Sequence, residues 1–327
     1  MVLANMKNRT QTVCVKASPS IALIKYWGKK QGKMNLPATS SLAITVTGLY
    51  SKVIVSKNLN KKDELIIGDH LVPPSRHLEF FNFVRKSLSN NYYYLAKAEN
   101  NFPVAAGLAS SSSVFAALSS GCALIAGEEA NKTKISTMAR VGSASAARAV
   151  WGGYTVLKAG AEFAYQLYGK EYWSNLRILI VITSKVPKAI SSREAMLLVS
   201  KTSPFYNAWV KSSGKIFRSA IEALANKNLS QLGELMRTSY MKMMGTMYGA
   251  DPPINYFQPE SIKVLRVVDH LRSSGIQVWE TMDAGPQVKI VCMAKDIDKI
   301  RESILIETNV ESDDIIEASV GEGPVWA

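Results

Sequence analysis

The sequence predicts an α+β protein of two domains. Short segments rich in β-branched residues, which are typical of half-buried strands, recur through the first half of the chain. The second half begins with a long stretch of helical composition at 190–247, just after a nearly continuous apolar strand at 176–183. A chain of 327 residues is long enough for two hydrophobic cores. We therefore expect a first domain at 1–183 and a second domain at 184–327.

Strands and helices are mixed in the first half. After Pro73-Pro74, apolar residues such as Leu78, Phe81 and Val84 recur near helical spacing, which predicts an amphipathic helix. A later helix has the small-residue, apolar composition of a buried segment. The complete set is strands at 12–17, 41–47, 52–57 and 92–98, helices at 75–89 and 114–127, and a helix start at 141 that leads into a strand before 157.

The second half is predicted to alternate more regularly. Pro204 interrupts the helical stretch, because proline cannot donate a backbone hydrogen bond inside a helix. Periodicity then predicts a helix at 259–274, strands at 276–282 and 287–293, a helix at 295–305 and a final strand at 315–320.

The chain carries a strong positive charge, since lysine and arginine exceed aspartate and glutamate by 13. Such a surface attracts anions, which include nucleic acid, acidic lipid and phosphorylated metabolites. The basic residues are scattered, and neither a long basic run nor an RNA-binding signature is present. We therefore expect no nucleic-acid partner.

Cysteine and histidine usage gives no sign of a disulfide framework or a metal site. Cys14, Cys122 and Cys292 are far apart, and the three histidines have no ligand spacing. The apolar segments are too short or too interrupted to span a bilayer, and the N-terminus lacks a signal-peptide pattern. We expect a cytoplasmic protein without a membrane partner and without a bound metal.

One stretch, PVAAGLASSSSVFAAL at 103–118, has the composition of a phosphate-binding turn. Gly107 permits close backbone approach, and the serines from Ser110 to Ser113 lie where a helix would present free N–H groups. The alternative is an ordinary helix N-cap followed by a tightly packed helix, since serine is a preferred cap. No Gly-Lys-Ser/Thr follows, so this is not a Walker motif.

Two further stretches suit an anion for similar reasons. In GSASAAR, Ser143 and Ser145 flank a helix start with Arg148 one turn away, although a capped helix with a solvated arginine explains the pattern equally well. In ISSREAM, two hydroxyls and a guanidinium precede a helix, and the alternative is a capping box between Ser191 and Glu194.

A lone lysine and a lone aspartate complete the candidates. Lys25 interrupts the apolar run of ALIKYWGKK, so it is either an inward cation waiting for an anion or an edge residue that faces water. Asp283 ends a strand in TMDAGPQV, where it is either a turn former or a carboxylate able to act as a base among many cations.

The set IALIKYWGKK, NLPATSSLAITV, NNFPVAAGLASSSS, GSASAARAVWGGY, SSREAM and MDAGPQV resembles the mevalonate diphosphate decarboxylase family, in family order over nearly the whole chain. This family lies within the superfamily of galactokinase, homoserine kinase and mevalonate kinase. The resemblance implies the two-domain fold of these small-molecule kinases: an N-terminal domain like domain 2 of ribosomal protein S5, a C-terminal α+β sandwich domain, and an active site in the cleft between them.

The resemblance also implies the chemistry. The 3-oxygen of a phosphorylated mevalonate carries a phosphoryl group, which leaves together with the C1 carboxylate as carbon dioxide and yields an isopentenyl phosphate ester. Cations must stabilise the departing phosphate while positive charge develops at C3. The implied class is therefore a carboxy-lyase, and the implied partner is a small phosphorylated mevalonate bound by a homodimer.

Residue roles follow from the matching motifs. Asp283 and Lys25 match the catalytic aspartate and the lysine beside it, and Arg148 matches the arginine that holds the C1 carboxylate. The positions that bind the 5-phosphate end correspond to Tyr26, Lys29, Ser143, Ser145, Ser192 and Arg193. The nucleotide phosphate loop corresponds to Gly107, Leu108, Ala109, Ser110 and Ser111.

Several positions depart from the usual family pattern. Ser20 and Thr39 replace asparagines, Val114 and Ala144 replace glycines, and Ala147 replaces a cysteine. Because a Cβ can obstruct close backbone approach, we expect an altered kinase step. The favoured expectation is the archaeal type of enzyme, which decarboxylates mevalonate 3,5-bisphosphate to isopentenyl phosphate without ATP.

Two alternatives stay open. One is the ATP- and Mg²⁺-dependent decarboxylase of diphosphomevalonate or phosphomevalonate. The other, more distant, is a non-catalytic protein that binds anions or nucleic acid through its basic surface.

Overall fold

The computed structural model describes residues 12–30, 34–102 and 110–326. Within these ranges the chain forms three β-sheets with helices packed against them, so the predicted α+β class is confirmed. None of the helices in this part of the chain has the length and apolar character needed to cross a membrane.

The first sheet has six strands and contains both ends of the described chain. Its order is β14-β1-β4-β7-β5-β6, and only the β5–β7 pair is parallel. The strands are β1 (Thr12–Ala17), β4 (Ser51–Lys57), β5 (Glu64–Ile67), β6 (His70–Leu71), β7 (Tyr94–Asn100) and β14 (Val325–Trp326).

The other two sheets have four strands each and are antiparallel. The second sheet, in the order β2-β3-β8-β9, comprises β2 (Ser20–Ile24), β3 (Ser41–Thr45), β8 (Tyr154–Leu157) and β9 (Tyr165–Tyr168). The third sheet, in the order β11-β12-β10-β13, comprises β10 (Leu176–Val181), β11 (Val278–Met282), β12 (Val288–Met293) and β13 (Ile315–Ala318).

The helices of the described ranges lie on the faces of these sheets. They are α1 (Leu78–Ser87), α2 (Ser110–Ala126), α3 (Lys132–Gly142), α4 (Ala146–Ala149), α5 (Ser192–Thr202), α6 (Tyr206–Ala225), α7 (Leu229–Tyr248), α8 (Pro259–Ser273) and α9 (Ile297–Glu307). Helix α2 packs on β1 and β4, and α7 packs on both α6 and β11.

One hydrophobic core joins the second sheet to the third. Leu42 and Tyr154 from the second sheet belong to the same buried cluster as Ile178, Val291 and Trp279 from the third. A second cluster fills the space around α1, α2 and the first sheet, and a third covers the opposite face of the third sheet under α5, α8 and α9. The second and third sheets are therefore packed together through one apolar core.

Most predicted elements are confirmed, although strands β5, β6, β9 and β14 were not predicted, and three further differences stand out. Helix α3 was not predicted, although its N-cap Asn131 accepts a hydrogen bond from the Lys134 amide. The stretch 190–247 contains three helices, because the chain breaks at Asn228, which caps α7, as well as at Pro204. Strand β10 pairs with β12 and β13, so it belongs to the sheet of the second half. The domain division at residue 183 stays a prediction.

Candidate active site

Lys25 lies at the end of the buried strand β2 and is an inward cation. Its side chain is 1% exposed, so the alternative of an edge residue facing water is wrong. Its Nζ donates hydrogen bonds to the Ala22 carbonyl at 2.7 Å and to Asp283 Oδ1 at 2.7 Å. Its backbone N–H donates to Ser239 Oγ at 2.9 Å, so α7 also holds this lysine in place.

Asp283, directly after β11, lies between two lysines. Oδ1 pairs with Lys25, and Oδ2 lies 3.2 Å from the Nζ of Lys289 in β12. The chain also turns here, since the Gly285 amide donates to the Asp283 carbonyl at 2.9 Å. Asp283 is thus both a turn residue and a partly buried ionic partner, and it joins two segments that are 258 positions apart in sequence.

A third lysine lies beside this group. The Nζ of Lys188 donates to the Ala284 carbonyl at 2.8 Å and to Ser192 Oγ at 2.8 Å. The loop before α5 therefore brings another cation next to Asp283, and it fixes the hydroxyl of Ser192, one of the predicted substrate-binding residues.

Arg148 in α4 is buried, with only 2% of its surface exposed, so the alternative of a solvated arginine is wrong. Its Nη1 donates to Ser41 Oγ at 2.5 Å, and its Nε lies 3.4 Å from Ser20 Oγ. The Ser20 amide donates in turn to Ser112 Oγ on α2 at 3.2 Å. In the described ranges no carboxylate lies within ion-pair distance of Arg148, which leaves a buried guanidinium whose acceptors are neutral hydroxyls.

The pKa values of these groups reflect burial among like charges. Burial lowers the pKa of Lys25 to about 8 although Asp283 raises it, and burial and Lys289 together lower the pKa of Lys188 to about 8. Burial also lowers the pKa of Arg148 to about 10. For Asp283, burial opposes ionisation, but Lys25 and Lys289 outweigh it and hold the pKa of the carboxyl well below its usual range.

These four cations outnumber the one carboxylate near them, Asp283, which pairs with Lys25 and Lys289. Buried charges are costly unless they are compensated. The group of Lys25, Lys188, Lys289, Arg148 and Asp283, which we call the Asp283 cluster, therefore has the composition of a site for a ligand that carries several negative charges.

A second group of predicted residues lies next to the cluster. Burial and the nearby Arg193 lower the pKa of Lys29 to about 8, and its Nζ donates to Asn35 Oδ1 at 2.6 Å. The hydroxyl of Tyr26 is buried without a hydrogen-bond partner in the described ranges. Burial raises the pKa of that tyrosine, while Arg148 and Arg193 oppose the rise.

Tight packing places Tyr206 against the backbone that follows Tyr26. Gly28 has a φ of 94°, which favours glycine, and a Cβ at this position would come within 2.1 Å of the Tyr206 hydroxyl. Glycine in KYWGK is therefore required both by its backbone conformation and by the close approach of α6.

The predicted serines fall into a connected pair of turns. Ser143 Oγ lies 3.1 Å from Ser145 Oγ and 3.3 Å from Ser111 Oγ at the start of α2. Ser110 is the first residue of α2. Gly107, Leu108 and Ala109 lie outside the described residues. The structure thus brings the GSAS turn together with the end of the predicted phosphate loop.

The capping box at Ser191 is present. Ser191 Oγ accepts from the Glu194 amide at 3.2 Å, and the Glu194 carboxylate accepts from the Ser191 amide at 3.1 Å. This cap does not involve Ser192, whose hydroxyl accepts from Lys188. The structural and the functional interpretation of SSREAM are therefore compatible.

Comparisons with known proteins agree with this geometry. Residues 17–167 match the family described as diphosphomevalonate decarboxylase-like N-terminal domain, and residues 178–325 match the mevalonate 5-diphosphate decarboxylase C-terminal domain. The chain belongs to the diphosphomevalonate decarboxylase family. The predicted resemblance is confirmed, and with it the predicted class of enzyme, a decarboxylase.

Individual relatives are similar over almost their whole length. The Aspergillus fumigatus diphosphomevalonate decarboxylase mvd1 is 30% identical over 331 residues, which cover 92% of this chain and 82% of that protein. The mevalonate diphosphate decarboxylase from Staphylococcus aureus superposes with a TM-score of 0.90 at 29% identity, over 98% of this chain and 99% of that one.

A solved structure described as MDDEF in complex with MVAPP, AMPPCP and Magnesium superposes with a TM-score of 0.88 at 31% identity, over 98% of this chain and 99% of that one. The comparisons therefore give no support to an archaeal-type, ATP-independent enzyme without a cofactor. They favour the alternative, in which ATP and Mg²⁺ take part.

The substituted family positions are accommodated by packing. Val114 lies within α2 and belongs to the buried core of the first sheet. Ala144 and Ala147 pack in a small apolar cluster with Leu157 and Ala164. The additional side-chain atoms of Val114 and Ala144 therefore lie in apolar packing, which weakens the sequence argument for a lost nucleotide site.

Sequence reasoning missed several residues of the site. Lys289 had a signal, because it interrupts the apolar strand VKIVCM just as Lys25 interrupts its own apolar run. Lys188 is adjacent to a recognised motif. Ser41 and Ser239 had no signal, since buried serines in a strand and a helix acquire their role only from tertiary contacts.

Proposed function

We propose that this protein is an ATP- and Mg²⁺-dependent decarboxylase of 5-diphosphomevalonate. The observation that carries the proposal is the Asp283 cluster, in which a buried arginine without a carboxylate partner lies among three lysines and one shared carboxylate. Such a site suits a substrate that presents a carboxylate and phosphoryl groups together. The products are isopentenyl diphosphate, carbon dioxide, ADP and inorganic phosphate.

The first step transfers the γ-phosphoryl group of ATP to the 3-hydroxyl of the substrate: the bond between the γ-phosphorus and the bridging oxygen of ADP breaks, a bond from that phosphorus to the 3-oxygen forms, and the hydroxyl proton leaves to solvent. Helix α2 would direct its N-terminal N–H groups and the hydroxyls of Ser110 and Ser111 toward the phosphates. Lys25 and Lys188 supply the positive charge that phosphoryl transfer requires.

Mg²⁺ fits this site as a companion of ATP. In the described ranges no three His, Cys, Asp or Glu side chains converge on a possible metal position. The ion would be held mainly by phosphate oxygens and water. The hydroxyl oxygens of Ser110 and Ser111 would be its ligands from the protein, in keeping with its preference for oxygen ligands. When bound, it neutralises charge on the phosphates during transfer.

The second step breaks the C3–O and C1–C2 bonds and forms the C2=C3 double bond and the second C=O bond of carbon dioxide. The C3–O bond breaks and its electron pair leaves with the phosphate, while the electron pair of the C1–C2 bond becomes the C2=C3 double bond as carbon dioxide departs. Arg148 anchors the C1 carboxylate, because its guanidinium is held by the hydroxyls of Ser41 and Ser20 and is free of any competing carboxylate in the described ranges.

Asp283 stabilises the positive charge that develops at C3. Its two lysine partners keep it ionised, and a carboxylate with so low a pKa is a weak base. Its contribution in this mechanism is therefore mainly electrostatic and positional: a fixed negative charge beside the reacting carbon, and an acceptor that orients Lys25.

We assign the 5-diphosphate of the substrate to the group of residues around Tyr26 and Lys29, next to the Asp283 cluster. Lys29, Arg193 and the hydroxyl of Tyr26 provide cationic and hydrogen-bonding groups for it. The hydroxyls at Ser143, Ser145 and Ser192 complete the assignment. The family members named as diphosphomevalonate decarboxylases support a diphosphate rather than a monophosphate at this end.

The test is a matrix of substrates and nucleotide. Purified protein is incubated with 5-diphosphomevalonate, 5-phosphomevalonate or mevalonate 3,5-bisphosphate, each with and without ATP and Mg²⁺, and carbon dioxide, phosphate and ADP are measured. We expect turnover of 5-diphosphomevalonate only with ATP, and one ADP per carbon dioxide. Nucleotide-free turnover of the bisphosphate, with none of the diphosphate, would overturn the proposal in favour of the ATP-independent reaction.

The homodimer and the cytoplasmic location stay predictions. The absence of nucleic-acid and membrane partners does as well. Light scattering after size-exclusion chromatography measures the oligomeric state directly.

A further inference from the structure

Lys289 is a buried cation that no sequence motif assigned. It lies in the middle strand pair of the third sheet and is 1% exposed. Its Nζ lies 3.2 Å from Asp283 Oδ2 and 3.4 Å from the Gln287 carbonyl. Its neighbours in β12 are apolar, so the strand would accept an aliphatic residue here without difficulty.

Stability does not explain this lysine. Removing an ammonium group from water costs several kcal/mol, about as much as a buried pair returns, and replacement of buried charges by apolar residues is often neutral or stabilising. Asp283 already has a partner of opposite charge in Lys25 at 2.7 Å. A second buried lysine on the same carboxylate therefore points to a role in the reaction.

Strand register places Lys289 on the face of the sheet where it can reach Asp283. Its cross-strand partner is Thr281, two residues before Asp283, and side chains two apart on a strand share a face. Lys25 approaches the carboxylate from β2 in the other half of the molecule, and it takes the other oxygen. Each oxygen of Asp283 thus lies within ion-pair distance of a lysine from a different half.

On the basis of the proposed function, we propose that Lys289 is a positioning residue for the decarboxylation: it fixes the Asp283 carboxylate through Oδ2, so that Oδ1 and the Lys25 ammonium keep the orientation that the reaction needs. The charged groups that face Asp283 are Lys25 at the end of β2, Lys188 in the loop before α5, Arg148 in α4 and Lys289 in β12.

Exchange of Lys289 for methionine tests this role. The carboxylate would lose one of its two anchors, and since a displacement of about 1 Å can cost about 10²-fold in rate, we expect kcat to fall about 10²-fold with KM for 5-diphosphomevalonate nearly unchanged. Lys289 also repels Lys25 and lowers its pKa. Its removal should therefore move the alkaline limb of the pH profile to higher pH.

Lys289→Arg is the matched control. It keeps the charge, so the alkaline limb should stay in place and part of the rate should return. Urea unfolding of both variants checks the fold, and we expect Lys289→Met to be at least as stable as the wild type. If Lys289→Met has a lower kcat at every pH but an unchanged alkaline limb, Lys289 has a merely structural role and the proposal is overturned. Raised KM with unchanged kcat would overturn it in favour of direct ligand binding.

A second measurement does not depend on turnover. Lysine labelled with ¹³C at Cε reports the titration of each ammonium by NMR, and a Lys25→Arg sample assigns the Lys25 signal. We expect that signal to titrate at higher pH in Lys289→Met than in the wild type. An unmoved titration contradicts the proposal even if the wild type proves inactive on every substrate, an outcome that would by itself refute only the proposed function.

Discussion

Two carboxylates lie three residues apart at β11, Glu280 buried and Asp283 24% exposed, and their surroundings differ. Glu280 accepts from the Tyr240 hydroxyl at 3.0 Å, pairs with Arg272 at 3.0 Å and lies 3.3 Å from Arg237. Both arginines also pair with Asp269. This second group, which we call the Glu280 cluster, has two positive and two negative charges.

The Asp283 cluster has four cations for one carboxylate. Both clusters contain buried charged side chains and ion pairs, so neither burial nor ion pairing marks the candidate active site. Charge balance separates them: the Glu280 cluster is complete within the protein, whereas the Asp283 cluster has an excess of positive charge that an anionic substrate can neutralise.

The largest expected effect is on turnover. Asp283→Asn removes the shared negative charge with little change of shape, and we expect kcat to fall about 10³-fold or more because a preorganised charge is lost, while circular dichroism remains that of the folded protein. Glu280→Gln is the control, and its kcat per folded molecule should stay within a few-fold of the wild type. Wild-type-like turnover in Asp283→Asn would refute the assigned role.

The next effect concerns the stability that the Glu280 cluster provides. Glu280→Gln leaves Arg237 and Arg272 with one carboxylate instead of two, and breaking a buried pair typically costs about 3 kcal/mol. Urea unfolding should show a loss of this size in the free energy of unfolding. A loss below about 0.5 kcal/mol in the free energy of unfolding would mean that Glu280 contributes no more than a surface ion pair. That result would weaken the comparison of the two clusters.

The pH dependence should follow the lysines of the site. Lys25, Lys29 and Lys188 have pKa values lowered to about 8, mainly by burial, so their charged forms are lost as pH rises through that value. We expect kcat/KM to fall at least tenfold per pH unit above about 8. A bound anion favours the protonated lysines, so the alkaline limb of kcat should lie at higher pH. If the alkaline limbs of kcat and kcat/KM coincide, the result contradicts an anionic ligand bound by these lysines.

The smallest effect is expected at Ser41. Its hydroxyl accepts from Arg148 Nη1 at 2.5 Å, and loss of one hydrogen bond to a charged group costs about 1.5 kcal/mol. Ser41→Ala should raise KM about tenfold and change kcat less, since the arginine can still bind the carboxylate. Thr45→Ala on the same strand, where the hydroxyl donates to the Trp151 carbonyl, is a matched control that should leave KM unchanged.

Local patterns predicted most of the fold. β1 was predicted with its observed bounds, and α8 and β12 within one residue, because periodicity and flanking proline or glycine define such segments locally. Helix α3 was missed, since its apolar positions are few and its neighbours supply the packing. The placement of β10 in the third sheet depends on pairing with strands more than a hundred residues away, which no local pattern contains.

The site shows the same limit. Lys25, Arg148 and Asp283 were singled out because each is unusual in its own segment, and motif order suggested that they meet. Ion pairs such as that of Lys289 depend on strand register, and contacts such as that of Ser239 with Lys25 depend on how the two halves pack. The substitution at Val114 was misinterpreted for a related reason, because only the packed core shows which way a helix residue faces.

The pairing of β14 with β1 has a consequence for how the polypeptide acquires its shape. After β13, the chain returns to the first half: the Gly321 amide donates to the Thr45 carbonyl at 2.7 Å, and Trp326 pairs with Val15. A fragment that stopped at residue 183 would lack β14, so the edge of its largest sheet at β1 would be unpaired. We therefore expect the two fragments to regain their native arrangement only when they are refolded together.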